Sequence, residues 1–314
     1  MKQVVLYFPG QGAQHLGMLS DLADQYPVIK ETFAEASQAI DQDLWALTQS
    51  GPAEALNLTY NTQPILVTAS AALWRVLQQE AGAKINVLAA AGHSVGEYSA
   101  LQAAGVLSLQ DAVRLVKKRG ELMDTAVPAG EGGMAAILGL DQEQIKQVCA
   151  DASVAGIVEP ANFNAPGQIV IAGTAAGIEK ACFLAKEAGA KRALPLQVSG
   201  PFHSSLMQQA AEPFVDALQS VQWHEASFPV FHNATNAVGS ITDMQQRLIE
   251  QLYSPVNWIG AVEASCINAE LAIEVGPGKV ISGLNKRINK TLPTMPTGDS
   301  ASFEKLLTAI EGEV

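Results

Sequence analysis

The sequence predicts an α/β fold: a large α/β-hydrolase-like domain built on a parallel sheet, interrupted by a small ferredoxin-like domain. Three observations carry that reading. Over the first 127 residues, short apolar runs ended by glycine alternate with helical apolar spacing, as buried parallel strands and their crossover helices do. Between residues 128 and 198 the order changes to strand, helix, strand, strand, helix, strand. That stretch is bounded by two turn-forming clusters, Pro128 with Gly130, Gly132 and Gly133, and Ser199-Gly200-Pro201. The expected organisation is therefore a large domain of residues 1–127 and 199–314 with a small domain of 128–198 inserted.

Val4–Phe8 is an apolar run stopped by Pro9, Gly10 and Gly12, hence a buried strand and a tight turn. Helical spacing follows over Asp21–Ile40 and Gln63–Ala81. Val87–Ala91 is a second buried strand ending at Gly92, with a helix expected from Val95 to Gly105. Ser108-Leu109-Gln110-Asp111 opens the next helix as a capping box. In the insert, Met134–Leu140, Gly156–Asn162, Gln168–Ala172 and Ala193–Val198 read as strands. Gln142–Ala152 and Ala175–Ala188 read as the helices between them.

Composition narrows the function classes. A chain of 314 residues, 48% hydrophobic, buries enough apolar surface to fold without disulfide or metal. Thirty-one acidic against nineteen basic residues leave a net charge of −12, which disfavours a broad grip on nucleic acid or anionic lipid. Cys149, Cys182 and Cys266 are isolated, so neither a zinc knuckle nor a disulfide framework is expected, and a reducing compartment is. The first apolar run is too short for a leader or a membrane span, and the expectation is a soluble, cytoplasmic monomer. The basic residues are clumped, at Lys117–Arg119, Lys186 with Lys191 and Arg192, and Lys279 with Lys286, Arg287 and Lys290. They form either solvated faces or the rim of a docking patch.

The chemistry is concentrated in a few places. Gly92-His93-Ser94-Val95-Gly96 is a G-x-S-x-G between strand and helix. Such an elbow exposes the serine oxygen, and the Val95 N–H beside the helix start can face an oxyanion. The alternative is an ordinary glycine-flanked turn. Of five histidines, His93 adjoins the serine and should point away from it. His224 and His232 read as structural or surface residues. His203, in Gly200-Pro201-Phe202-His203, stands where the chain re-enters the large domain, either as the base or as a loop histidine. Ala112, Leu115, Arg119 and Met123 share one helix face. A guanidinium in that apolar stripe needs an anion, either a protein carboxylate or a substrate carboxylate. The turn at Gln11 can expose a second backbone donor. It lacks the full dinucleotide-loop pattern, and no nucleotide-binding motif is present. No histidine pair has metal-ligand spacing, so no metal and no tightly bound cofactor are expected.

Together these segments resemble the malonyl-CoA:acyl-carrier-protein transacylase family. The resemblance runs through Phe8–Gly12, Gly92–Tyr98, Arg119, Ala161–Gln168, Pro201–Ser204, Gln251–Val256 and Glu274–Gly278, in that order. It implies Ser94 as nucleophile and His203 as base, with Gln251 orienting His203 through its main-chain carbonyl in place of a triad acid. Gln11 and Val95 amides would form the oxyanion hole. Arg119 would clamp the malonyl carboxylate, with Asn162, Met123 and Phe202 lining the substrate cleft. Val95 replaces the family's common leucine, and Phe202 matches the malonyl rather than the methylmalonyl pattern. The implied substrate is malonyl-CoA, the implied partner acyl carrier protein, and the implied setting fatty acid biosynthesis. The rival readings are a serine thioesterase or hydrolase on the same elbow, a trans-acting polyketide-pathway acyltransferase, and a non-catalytic carrier-docking module.

Overall fold

The computed structural model describes residues 1–312 and contains two sheets. Nine strands are present among the described residues: β1 (Lys2–Phe8), β2 (Ile85–Gly92), β3 (Gly132–Leu138), β4 (Val158–Ala165), β5 (Gln168–Thr174), β6 (Arg192–Pro195), β7 (Val230–Phe231), β8 (Leu271–Glu274) and β9 (Thr294–Pro296). The larger sheet has the order β7-β2-β1-β8-β9 and is parallel throughout. Such a sheet is covered on both faces, and β1 reads accordingly. Val4, Leu6 and Phe8 enter one apolar cluster, Val5 and Tyr7 the other. The parallel register aligns strand ends, with Phe8 beside Gly92 and Ala91 beside Phe231. The segments leaving these three strands therefore emerge together at one edge, where open parallel sheets hold their ligands.

The second sheet is antiparallel, order β4-β5-β3-β6, with the helices Gln142–Ala152 and Ala175–Glu187 on it. In chain order this is the ferredoxin-like arrangement, with the first strand between the third and the fourth. It has its own apolar cluster, from Ala135 to Ala193. The two sheets are joined at β4. Phe163 N–H donates to Val256 O at 2.9 Å and Val256 N–H to Ala161 O at 2.9 Å.

Element bounds differ from expectation in instructive places. The stretch Asp21–Ile40 is two helices, Ser20–Ala23 and Val28–Ile40, because Pro27 has no N–H to continue the first. The helix expected from Gln63 begins at Thr59, one turn earlier, and carries Pro64 in its second turn. The elbow helix spans Gly96–Ala103. The helix expected to open with a capping box spans Leu109–Thr125, and only half of the box forms: Ser108 Oγ accepts from Asp111 N–H at 3.0 Å, while the Asp111 carboxylate accepts from Ser108 Oγ and not from the Ser108 N–H. The strand leading to His232 is only Val230–Phe231, and β6 stops at Pro195. No described helix is long and apolar enough to cross a membrane.

Candidate active site

The site is assembled where β1, β2 and β7 end. Ser94 follows β2 in the left-handed region, φ 53°, strain that a non-glycine residue keeps only when its surroundings enforce it. The two flanking glycines are sterically required. A Cβ on Gly92 would lie 1.9 Å from the Gly96 carbonyl, and one on Gly96 2.3 Å from Phe8 O. Asn233, just past β7, ties the turn down. Its Oδ1 accepts from Ser94 N–H at 2.7 Å and its Nδ2 donates to Gly92 O at 2.6 Å.

His203 also has a positive φ, 61°, and is buried. Its Nδ1 lies 2.8 Å from Gln251 O, a pure acceptor, so Nδ1 carries the proton and Nε2 is left to accept. Ser94 Oγ is 2.7 Å from that Nε2. The Gln251 carbonyl is available for a sequence-readable reason. It lies in the last turn of the helix Ile241–Tyr253, and the residue four further on is Pro255, which has no N–H. Burial, and then the Arg119 charge, push the His203 pKa down to about 3, so the imidazole stays neutral with Nε2 unprotonated.

Arg119 comes from the helix Leu109–Thr125 and is 1% exposed. Nη1 donates to Gln63 Oε1 at 2.9 Å, and Nη2 donates to Gln251 Oε1 at 2.9 Å and to Ser94 Oγ at 3.2 Å. Its Nε has no partner, and no carboxylate is within ion-pair distance among the described residues. Of the two anions the sequence left open, no protein carboxylate pairs with it directly. Burial draws its pKa below the usual arginine value.

Gln11, Val95, Met123, Asn162 and Phe202 line the same cleft of about 160 Å³ as Ser94, His203 and Arg119. All nine expected site residues therefore converge, Gln251 from behind the histidine. His93 turns from Ser94 towards the small sheet, its Nε2 2.7 Å from Asn164 Oδ1, yet it still lines the cleft. His224 is exposed and His232 fully buried. Sequence reasoning missed Gln63, Glu97, Asn164 and Asn233 as site residues. Two carried a signal: Gln63 is polar within an apolar helix, and Asn233 follows a strand end. Among the described residues no three His, Cys, Asp or Glu side chains are grouped to hold a metal ion.

A parallel sheet, a serine elbow with a histidine 2.7 Å from its oxygen, and a second, antiparallel sheet define an α/β enzyme built for nucleophilic chemistry. The acyl transferase domain pattern matches residues 5–281, and the chain belongs to that family. Within it, the chain is 50% identical over 312 residues to the malonyl CoA-acyl carrier protein transacylase of Salmonella typhimurium, covering 98% of this chain and 100% of that one. The Bacillus subtilis protein of the same name is 47% identical over 316 residues, covering 100% and 99%. Among solved structures, an acyl carrier protein S-malonyltransferase from Vibrio cholerae superposes with a TM-score of 0.92 at 49% identity, over 98% of this chain and 100% of that one. A malonyl-transacylase in complex with its holo type II PKS acyl-carrier protein superposes with a TM-score of 0.94 at 46% identity, over 99% and 100%.

Proposed function

We propose that this chain moves a malonyl group from malonyl-CoA to the phosphopantetheine thiol of an acyl carrier protein, carrying it between the two as a malonyl ester of Ser94. The transfer itself rests on relatives of that name, half identical over the full chain. The residue roles rest on one observation above all. A buried guanidinium without a protein carboxylate stands 3.2 Å from the serine oxygen, where a three-carbon diacid would bring its free end.

His203 Nε2 takes the Ser94 Oγ proton as Oγ attacks the thioester carbonyl. The Gln11 and Val95 backbone N–H groups face the oxyanion, and neither donates elsewhere among the described residues. The carbon–sulfur bond breaks, and the imidazolium returns its proton to the coenzyme A sulfur. The Gln251 carbonyl, at the negative end of its helix, steadies that imidazolium. The carrier thiol then gives its proton to His203 and attacks the malonyl ester, and Ser94 Oγ leaves with the proton. Arg119 holds the malonyl carboxylate through both halves, while Asn162, Met123 and Phe202 wall the acyl group. No bound cofactor is invoked. Three free thiols fit a reducing, cytoplasmic compartment. A monomer is the working assembly.

Fatty acid biosynthesis is the setting we favour. A polyketide carrier is the second reading, favoured by the similarity to a transacylase bound to a type II PKS carrier. The test is a chase of the malonylated protein with holo carriers of both kinds. Label on the carrier thiol supports transfer, and free malonate from water with none on either carrier refutes it.

A further inference from the structure

Behind the serine lies a buried acid to which the mechanism above gives no part. Glu97, in the first turn of the helix Gly96–Ala103, is fully buried. Its Oε2 accepts from Gln251 Nε2 at 2.6 Å and from the Asn233 backbone N–H at 3.0 Å, and its Oε1 lies 2.5 Å from His232 Nδ1. The residues it holds are the ones that hold the site. Asn233 pins the elbow through Ser94 N–H and Gly92 O. Gln251 supplies the carbonyl against His203 Nδ1 and, through its side chain, the oxygen that receives Arg119 Nη2.

The bonding leaves one orientation for the Gln251 amide. One end faces Glu97 Oε2 at 2.6 Å and the Ser94 carbonyl at 3.1 Å, and a carbonyl only accepts, so that end is the nitrogen. Arg119 has only donors, so the atom facing the guanidinium is the oxygen. Gln251 is thereby a spacer held at both ends, and Glu97 makes the shorter of the two bonds at its nitrogen.

We propose that Glu97 is a positioning residue for substrate selection: through Gln251 it sets the place of the Arg119 guanidinium beside Ser94. It is the buried acid that a serine–histidine site otherwise lacks, acting on the clamp rather than directly on the imidazole. The proposal rests on the malonyl-transfer reading. It separates from a merely structural role because it concerns the malonyl carboxylate and not the thioester common to all acyl-CoAs.

The test is the ratio of malonyl to acetyl acylation rates at Ser94, read by intact mass with each acyl-CoA. Glu97→Met removes both acceptor oxygens at similar volume, and the ratio should fall at least tenfold. Glu97→Gln can keep an oxygen towards Gln251 and Asn233 with its nitrogen towards His232, and should restore most of the ratio. Equal loss for both acyl groups in Glu97→Met, or no loss, overturns the relay. Should Glu97→Met not fold, Gln251→Met cuts the same link from its other end while sparing the main-chain carbonyl. A fallen ratio there supports the relay and an unchanged one overturns it. A wild-type protein that forms no malonyl adduct would overturn the transfer reading as well. A wild type that does, with an unchanged ratio in the variants, overturns the relay alone.

Discussion

Replacing Arg119 by alanine is the sharpest perturbation of the proposed selectivity. The guanidinium is 1% exposed and braced at 2.9 Å by both Gln63 and Gln251, so it meets a substrate carboxylate already desolvated and aimed. Truncating one partner of a buried charge pair costs about 2–5 kcal/mol. At about 1.4 kcal/mol per decade, malonyl transfer should fall by roughly 30-fold to a few thousand-fold in kcat/KM. Acetyl-CoA makes no such pair. With the unpaired charge gone, its acylation should hold or rise, so the malonyl-to-acetyl preference should collapse by a similar factor. The assay is competitive acylation from equal malonyl- and acetyl-CoA, with both Ser94 adducts read by mass. A preference unchanged in Arg119→Ala would refute the clamp. Loss of both reactions alike, in a folded protein, would mean that Arg119 serves the serine and not the acyl group.

Other consequences can be checked separately. The His203 pKa lies well below the usual 6.5, so the neutral base survives acidification and kcat/KM for acylation should stay level as pH falls through that value. The Arg119 charge contributes to the depression, so Arg119→Ala should move the acid limb to higher pH, and a pH profile of both proteins decides it. Gly96→Ala drives a methyl into the Phe8 and Pro9 carbonyls and should destabilise by about 1–3 kcal/mol or more, seen as a lower melting temperature. Asn233→Ala frees the Ser94 amide and should slow acylation at least tenfold with malonyl- and acetyl-CoA alike, measured as single-turnover rates. Arg287 is engaged with Gln168 and the Pro166 carbonyl, whereas Lys286 and Lys290 are exposed. If they rim a docking patch, reversing the two lysines should raise the carrier KM severalfold and flatten its salt dependence, with malonyl-CoA kinetics unchanged.

Local chemistry was readable in the sequence, and tertiary convergence largely was not. The elbow is local: glycines two residues either side of a serine, between an apolar run and a helix, leave little choice of geometry. Arg119 was legible because helix periodicity alone sets it among Ala112, Leu115 and Met123. His203 was legible only by its place at the return into the large domain. Glu97 was in plain view beside Gly96, but its importance depends on Gln251 and Asn233, brought to it from more than a hundred residues away. Gln63 meets Arg119 only because the helices Thr59–Ala81 and Leu109–Thr125 pack side by side. The split at Pro27 was the reverse case: a local rule, the missing proline N–H, outweighed a helical apolar period that runs across it.

A malonyl group carried on Ser94 is detected by intact mass with peptide mapping after brief exposure to malonyl-CoA. One malonyl increment per chain is expected, mapped to Ser94, absent from Ser94→Ala, stable to water, and discharged by a holo carrier thiol. An unmodified chain, an adduct on another residue, or an ester that water clears as fast as the carrier does would contradict it.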